Sequence, residues 1–194
     1  TGLGVECLQG YARFIDPWTV EIAGADGSTT RLTSRAFVIA TGAAPMVPPL
    51  PGIANSAYLT SETLWDAMAE RTHVPKRLVI LGGGPIGCEL AQAFQRLGSE
   101  VTLVEMANRL LLKEDSEAGE IITQRLTEEG VRVLTGHKAV SFNGKSLSVE
   151  SPAGEAQLQY DDIVIAIGRR ARVTGFGLEE LGLVENGRIE VDPW

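Results

Sequence analysis

A glycine-rich turn between two short apolar runs is the sequence feature that most constrains how this chain folds. Residues 77–81 (RLVIL) have the length and branching of a buried strand, and the next residues have the spacing G-x-G-x-x-G over Gly82–Gly87. A stretch with helical apolar spacing follows, and Gly98 stands where such a helix ends. Residues 101–104 (VTLV) predict a second strand leading to Glu105. The order predicts a βαβ unit of the kind that binds nucleotides. The apolar stripe of its helix is predicted to contain Ile86, Leu90, Phe94 and Leu97.

The glycines of this turn have separate predicted roles. Gly82 allows the tight turn out of the strand, Gly84 lets the main chain approach a pyrophosphate, and Gly87 lets the helix pack closely on the strand. The phosphate accepts from free N–H groups at the helix N-terminus, where the helix dipole adds positive charge, so no lysine is required. Glu105 has about the spacing expected of the carboxylate that accepts from ribose hydroxyls. The predicted cofactor-binding residues of this unit are Gly82, Gly83, Gly84, Pro85, Ile86, Gly87 and Glu105.

Composition argues against several classes of function. The formal net charge is −8 at pH 7, which argues against binding to nucleic acid or to an anionic membrane surface. No apolar stretch reaches the roughly 18 residues of a membrane span and nothing resembles a signal peptide, so a cytoplasmic location is predicted. Two cysteines are too few for a disulfide framework, and Cys88 is predicted to pack as a small apolar residue. His73 and His137 are isolated and are predicted to have loop or surface roles, with no metal site.

Residues 1–42 are predicted to be rich in β-structure. Residues 19–22 and 29–32 flank the dipeptide Asp26-Gly27, which favours a hairpin turn. Residues 36–40 (AFVIA) predict a buried strand that ends at Thr41-Gly42.

The passage before the βαβ unit is predicted to connect two domains. Its prolines at positions 45, 48, 49 and 51 predict a stiff linker. Residues 62–70 then predict a short helix with Ser61 as its N-cap. The chain starts at Thr1 without a methionine and stops at Val191–Trp194 directly after a predicted strand, so we expect a fragment of a longer protein.

The pattern of strands and helices continues beyond Glu105. Residues 116–129 predict an amphipathic helix, and residues 131–134 predict a third strand. Turns at Asn143-Gly144 and residues 152–154 predict a small antiparallel meander. Residues 163–168 (IVIAIG) predict a last buried parallel strand whose carboxyl end lies beside the glycine turn. The apolar face of the amphipathic helix is predicted to contain Ala118, Ile121, Ile122 and Leu126.

Three motifs follow one another along the chain: residues 37–42 (FVIATG), 81–89 (LGGGPIGCE) and 163–169 (IVIAIGR). In this order they resemble those of the pyridine nucleotide-disulphide oxidoreductases, a family that includes lipoamide dehydrogenase and mercuric reductase. The resemblance implies an α/β fold with a Rossmann-like NAD(P)-binding domain over residues 45–170, which has a parallel sheet and an inserted antiparallel β-meander. Residues 1–44 and 171–194 are then partial segments of the FAD-binding domain.

The resemblance also implies roles for single residues. Glu89 matches the family's acid near the nicotinamide, Ala139 a small apolar residue against the adenine, and Gly168 a point where main chain passes close to the dinucleotide. Thr41 and Gly42 resemble the flavin-side turn. By the same resemblance, the intact protein binds FAD and is a homodimer. The family's first glycine motif, its redox cysteine pair and its Gly-Asp flavin motif do not occur in these 194 residues.

The acid after the second strand also predicts the choice of cofactor. A carboxylate at Glu105 would repel a 2′-phosphate, so NAD(H) is expected in preference to NADP(H). Arg109 is the only arginine close by that could hold such a phosphate. The other two interpretations of Arg109 are an exposed charge and an ion-pair partner of Glu105.

Three functions are compatible with these patterns. The first is the dinucleotide-binding part of a flavoprotein oxidoreductase, which positions NADH for hydride transfer to FAD and is inactive as this chain alone. The second is a non-catalytic NAD(H)-binding module, such as a redox sensor. The third is an S-adenosylmethionine methyltransferase, which the helix-packing glycine and the meander before the last strand disfavour.

Overall fold

The structure of the chain is a computed structural model that describes residues 2–191. Of the four residues Val191–Trp194, at which the given sequence stops, the last three lie outside the described residues. The chain divides into two compact units, Ala44–Arg170 and Thr1–Ala43 together with Ala171–Trp194. Their identities as dinucleotide-binding and flavin-binding domains stay predictions.

Short strands dominate the secondary structure, with three helices among the described residues. In chain order the strands are β1 Tyr11–Asp16, β2 Thr19–Ala23, β3 Thr29–Thr33, β4 Ala43–Pro45, β5 Leu59–Thr60, β6 Arg77–Leu81, β7 Glu100–Val104, β8 Arg132–Leu134, β9 Lys138–Asn143, β10 Ser146–Ser151, β11 Gly154–Gln159, β12 Asp162–Ile165, β13 Arg169–Ala171, β14 Val184–Glu185 and β15 Arg188–Ile189. The helices are α1 Leu64–Ala69, α2 Pro85–Arg96 and α3 Ser116–Glu128, and a 3-10 turn covers Ile53–Asn55.

A five-stranded parallel sheet organises the Ala44–Arg170 unit. Its strand order is β5-β12-β6-β7-β8, and every neighbouring pair is parallel. The chain runs outward from β6 through α2 to β7 and through α3 to β8, then returns to place β12 on the other side of β6. This confirms the α/β fold and the βαβ unit predicted around the glycine turn.

The two faces of this sheet are covered by different layers. Leu78 and Ile80 of β6 pack with Leu90 and Phe94 of α2 and with Leu126 of α3. The alternate residues of the same strand point the other way because side chains alternate across a strand. Both faces of β6 are buried, which explains why its sequence is a nearly continuous apolar run.

The second layer is the antiparallel meander β9–β10–β11, as predicted. Its residues Phe142, Leu147 and Val149 pack with Val79 and Leu81 of β6. The predicted last strand β12 is also confirmed, and it ends at Ile165.

The other unit contains the predicted hairpin. Strands β1, β2 and β3 form an antiparallel sheet, and the β2–β3 turn contains Gly27 with φ 80°. The segment that starts at Ala171 is attached to this sheet, because Phe14 N–H donates to the Phe176 carbonyl at 2.8 Å. A second hairpin pairs β14 with β15.

Residues 36–40 do not form the predicted buried strand. They have no strand assignment, and Val38 is 94% exposed. Phe37 and Ile39 are half-buried, so burial alternates along residues 36–40 as in a strand, but no backbone hydrogen-bond ladder is assigned to them. An apolar run becomes a strand only where a neighbouring strand accepts its backbone hydrogen bonds, and the described residues supply no such neighbour here.

The proline-rich passage also differs from the stiff linker that we predicted. Its main chain bonds to the Ala44–Arg170 unit, since Met46 N–H donates to the Gly168 carbonyl at 2.9 Å and Phe142 N–H to the Pro51 carbonyl at 2.8 Å. Leu50 packs against the meander core. The prolines shape a surface segment of this unit.

Three local predictions about the helices were wrong. Helix α1 begins at Leu64 with Thr63 as its N-cap, because a turn through Thr60 precedes it, so Ser61 is not the cap. Leu97 is 65% exposed, as it lies at the C-cap of α2 where the helical stripe ends. Ile121 is 58% exposed on the outer side of α3.

Candidate functional site

The glycine turn lies at the carboxyl edge of the parallel sheet, directly after its central strand, β6. Gly82 leaves β6 with φ 117°, and a Cβ at this position would lie 2.4 Å from the Ala166 carbonyl oxygen just past β12. Ala166 N–H in turn donates to the Leu81 carbonyl at 2.7 Å. Only glycine fits at this point, because the backbone conformation and the neighbouring chain both exclude a side chain.

The last glycine of the motif sits inside the contact between helix and strand. A Cβ on Gly87 would lie 1.8 Å from the Gly82 carbonyl oxygen and 3.6 Å from Leu103 Cδ1. The first turn of α2 therefore lies directly against the end of β6. Cys88 and Leu90, which follow it, are buried in the core of the helical face.

The middle glycine of the motif is in a different situation. Gly84 is the N-cap of α2 with an extended backbone, and a Cβ here would meet no described atom within 4 Å. No side chain among the described residues caps this helix, and Pro85 at its first position has no N–H to offer. The N–H groups of Gly84, Ile86 and Gly87 therefore lack intrahelical partners. Pro85 is exposed and Ile86 is half-buried against the core.

Gly83 is held from two sides, which the motif alone did not indicate. Its N–H donates to Glu105 Oε2 at 2.6 Å, and its carbonyl accepts from Leu111 N–H at 2.9 Å. A Cβ here would lie 2.5 Å from Leu110 Cδ2 and 2.9 Å from Glu105 Cβ. The run of three consecutive glycines was the only sequence signal for this restriction.

Glu105 follows β7 directly and its carboxylate is fixed by the main chain. Oε2 accepts from Gly83 and Oε1 accepts from Ala107 N–H at 2.7 Å. The Glu105 backbone continues the sheet, since its N–H donates to the Leu134 carbonyl at 2.9 Å. Each carboxylate oxygen retains acceptor capacity for a ligand hydroxyl, because a carboxylate has about four lone-pair sites.

Arg109 does not pair with Glu105 and is not an exposed charge. Its Nη1 donates to the Leu111 carbonyl at 3.0 Å, and its Nη2 donates to the carbonyls of Leu112 and Glu114, both at 2.9 Å. A longer contact of 3.5 Å joins Nη1 to the Asp115 carbonyl. The guanidinium is half-buried within the loop that follows β7.

Two further predicted site residues lie near this edge. Gly168 is exposed just past β12, two residues beyond the Ala166 that contacts Gly82. Ala139 is half-buried in β9, two residues after His137, whose N–H donates to the Glu105 carbonyl at 3.0 Å. The fold thus places the glycine turn, Glu105, Gly168 and the start of β9 around one end of the sheet.

Glu89 lies one turn into α2 and is exposed. Its predicted place beside a nicotinamide stays a prediction.

Comparison with known proteins assigns the chain to a family. The model of the pyridine nucleotide-disulphide oxidoreductases matches residues 2–194. The chain belongs to this family. The predicted resemblance is therefore confirmed.

Relatives of the chain include curated oxidoreductases. It is 38% identical over 192 residues to a mercuric reductase of Staphylococcus aureus. The aligned region covers 97% of this chain and 34% of that protein. It is also 38% identical over 202 residues to a dihydrolipoyl dehydrogenase of Thermus scotoductus. Here the aligned region covers 98% of this chain and 41% of that protein.

A solved structure shows the same architecture. The HOCl-induced flavoprotein disulfide reductase RclA from Escherichia coli superposes with a TM-score of 0.77 at 31% identity, covering 96% of this chain and 42% of that one. The chain thus spans about two fifths or less of the length of these relatives.

The residues that resemble the family's flavin-side turn lie in the other compact unit. Thr41 Oγ1 donates to the Arg172 carbonyl at 2.5 Å, and Arg172 N–H donates to the Gly42 carbonyl at 3.0 Å. The structure therefore joins Thr41 and Gly42 to the segment that starts at Ala171.

The Cys88 thiol, which lies beside the glycine turn, is unsuited to the family's redox chemistry. Cys88 is buried, as predicted, and its Sγ lies 3.5 Å from the Gly83 carbonyl oxygen. Burial, followed by the charges of Glu105 and Glu89, raises the pKa of this thiol to about 11. The reactive thiolate is therefore scarce at neutral pH.

Membrane-spanning helices and metal-binding clusters are both absent from the described residues. Residues 2–191 contain no helix of sufficient length and apolar character to span the lipid bilayer. They also contain no group of three or more histidine, cysteine or acidic side chains arranged to hold a metal ion.

Proposed function

We propose that this chain is the dinucleotide-binding part of an FAD-dependent pyridine nucleotide-disulphide oxidoreductase and that it positions NADH for hydride transfer to the flavin. The observation that carries the proposal is the contrast among the glycines. Protein atoms surround the Cβ positions of Gly82, Gly83 and Gly87, whereas no atom of residues 2–191 lies within 4 Å of that of Gly84. A glycine is needed at Gly84 only if something outside this chain comes close to its main chain.

The chemistry at Gly84 fits a pyrophosphate. The N–H groups of Gly84, Ile86 and Gly87 stand at the positive end of the α2 dipole, which favours an anion. The chain supplies this attraction without a lysine or arginine in the turn. A group with dispersed negative charge and several acceptor oxygens therefore fits here.

The ribose next to this pyrophosphate is the proposed partner of Glu105. The carboxylate is fixed by Gly83 and Ala107, so it needs no reorganisation before it accepts from ribose hydroxyls. It would repel the 2′-phosphate of NADP(H) at hydrogen-bonding range. The Arg109 guanidinium donates to main-chain carbonyls and does not offset the negative charge of a 2′-phosphate. We therefore propose NAD(H) as the preferred cofactor.

The remaining predicted contacts complete this proposal. Ala139 packs against the adenine, Gly168 lets main chain pass close to the dinucleotide, and Glu89 lies near the nicotinamide. A dinucleotide held by these residues would supply a hydride to the N5 atom of the flavin in the intact protein. Thr41 and Gly42 contribute one turn of the flavin site, and the intact protein is proposed to be a cytoplasmic homodimer.

Titration calorimetry with NADH and NADPH tests the cofactor assignment. We expect the unmutated chain to bind NADH more tightly. Glu105→Ala should shift the ratio of the two affinities toward NADPH by roughly 1–3 kcal/mol, the scale of a hydrogen bond to a charged group. The ratio of the NADH and NADPH affinities is the decisive quantity, because Glu105 also holds Gly83 and its loss weakens the binding of both nucleotides.

Glu100→Ala is the matched control. Glu100 is an exposed carboxylate at the opposite end of the same strand, β7. Its removal changes the net charge equally but leaves the site intact, so the affinity ratio should not move. Tighter binding of NADPH than NADH by the unmutated chain would overturn the assignment of NAD(H).

A further inference from the structure

We infer that Arg109 is a positioning residue for the glycine turn, which it holds through the loop that follows β7. This inference rests on the proposed function, since its consequence for the cofactor presumes that the turn binds a dinucleotide. The loop, residues 106–115, supplies the groups that confine Gly83 on the side away from β12. We call it the bracing loop.

The bracing loop fixes the Gly83 peptide by a hydrogen bond and by packing. Leu111 N–H donates to the Gly83 carbonyl at 2.9 Å. Leu110 is fully buried, and its Cδ2 occupies the position that a Gly83 side chain would need. With this carbonyl held, the Gly83 N–H on the other side of the residue meets Glu105 Oε2 at 2.6 Å. The next residue along is Gly84, the proposed phosphate contact.

The backbone of the bracing loop does not adopt this shape readily. Leu111 has φ 50°, a left-handed conformation that is disfavoured for a residue with a branched apolar side chain. Such a conformation persists only where its surroundings hold it. The hydrogen bond to Gly83 depends on it, because Leu111 is the donor.

Arg109 supplies the surroundings that hold this conformation. Its guanidinium donates to the carbonyls of Leu111 at 3.0 Å, Leu112 at 2.9 Å and Glu114 at 2.9 Å. A planar fork with five N–H groups can reach several carbonyls at once, and a lysine ammonium cannot reproduce that geometry. The carbonyls converge on one cation, which fixes the backbone between them.

The start of α3 closes the arrangement on the other side. Gly119 N–H donates to the Asp115 carbonyl at 3.2 Å, and a Cβ on Gly119 would lie 2.8 Å from the Leu110 carbonyl oxygen. Such a Cβ would also lie 3.3 Å from Arg109 Nη1. Arg109 is thus enclosed by the loop and the helix, and it acts on the cofactor site through Leu111 and Gly83.

Amide hydrogen exchange, followed by NMR on the isotope-labelled chain without cofactor, tests the brace directly. In Arg109→Ala we expect the Gly83 and Leu111 amides to exchange at least tenfold faster, while the amides of β6 keep their protection. NADH affinity should fall by about tenfold or more, the factor that corresponds to one lost hydrogen bond to a charged acceptor. Arg109→Lys should restore the charge but neither the exchange protection nor the affinity.

Arg125→Ala is the control for loss of a cation. Arg125 lies on the exposed side of α3, and among the contacts described its side chain pairs only with Glu128 and with Glu129, the C-cap of that helix. It should leave both measurements unchanged. Unaltered Gly83 exchange in Arg109→Ala, or full recovery of exchange protection and affinity in Arg109→Lys, would refute the brace.

The two proposals can fail separately in this experiment. If the unmutated chain does not bind NADH, the proposed function fails, and the exchange measurement still decides whether Arg109 holds Gly83. If Arg109→Ala does not fold, Arg109→Lys gives the decision: wild-type exchange at Gly83 in that variant contradicts the inference, and faster exchange supports it.

Discussion

A methyl group added at Gly84 should separate binding from folding. Gly84 has a negative φ that alanine accepts, and the new Cβ meets no described atom within 4 Å. At the N-cap of a helix alanine is less favourable than glycine by roughly 0.5–1 kcal/mol. The reduced entropy of the unfolded chain stabilises the alanine variant by about 0.4–1 kcal/mol. The two effects offset, so the free energy of unfolding should change by no more than about 0.5 kcal/mol.

The same methyl group should strongly weaken cofactor binding. It would stand where we propose that the pyrophosphate meets the N–H groups at the start of α2. Loss of one charge-assisted hydrogen bond is worth about 1.5–3 kcal/mol, so the dissociation constant for NADH should rise by about tenfold or more. Thermal unfolding followed by circular dichroism should show a midpoint within about 2 °C of the unmutated chain, and calorimetry should show the weaker binding.

Gly87→Ala gives the opposite outcome and serves as the comparison. Its Cβ would lie 1.8 Å from the Gly82 carbonyl oxygen, so α2 must move away from β6. Such overpacking costs roughly 1–3 kcal/mol or more, and the unfolding midpoint should fall by several degrees. Equal NADH affinity in Gly84→Ala and the unmutated chain would refute the placement of the pyrophosphate. An unfolding midpoint that falls as far in Gly84→Ala as in Gly87→Ala would refute the open space at Gly84.

Three further predictions concern other parts of the chain. In the folded protein, maleimide should modify the exposed Cys7 and leave Cys88 unmodified until denaturant is added, as judged by mass spectrometry; equal labelling of both would contradict the burial and raised pKa of Cys88. The Arg96 guanidinium, which donates to Glu129, lowers the pKa of that carboxyl to about 2, so this pair should stabilise the fold above pH 5 and lose its effect as the pH falls from about 5 towards 2. Denaturant titrations of the unmutated chain and Arg96→Ala should therefore differ at pH 7 and converge near pH 2, and an equal difference at both pH values would count against the pair. The purified chain should be colourless and should not oxidise NADH in steady state, because only one predicted turn of the flavin site is present; a stoichiometric flavin absorbance spectrum would show this expectation to be wrong.

The sequence determined the parts of this protein that depend on local patterns. Glycine spacing between two apolar runs was enough to predict β6, α2 and β7, because a buried parallel strand and an amphipathic helix have different periods. Turn residues at Asn143-Gly144 predicted the meander for the same kind of local reason. The family resemblance followed from three short motifs in order, and the comparisons confirmed it.

The tertiary structure decided what depends on residues that are distant in sequence. Residues 36–40 look like a buried strand, but no strand among the described residues accepts their hydrogen bonds. Leu97 continues the stripe of α2 on a helical wheel, yet the helix ends there and the side chain faces solvent.

In the candidate site, too, some features were predictable from the sequence and others depended on tertiary contacts. Gly82, Gly84 and Gly87 were recognisable by their spacing, whereas the restriction on Gly83 comes from Leu110, which lies on another loop. The contacts of Arg109 were likewise hidden, because a charge in a sequence does not reveal which carbonyls a loop will turn towards it. Local periodicity encodes which elements form and which faces they bury, and only the packed chain fixes which atoms from separate elements meet.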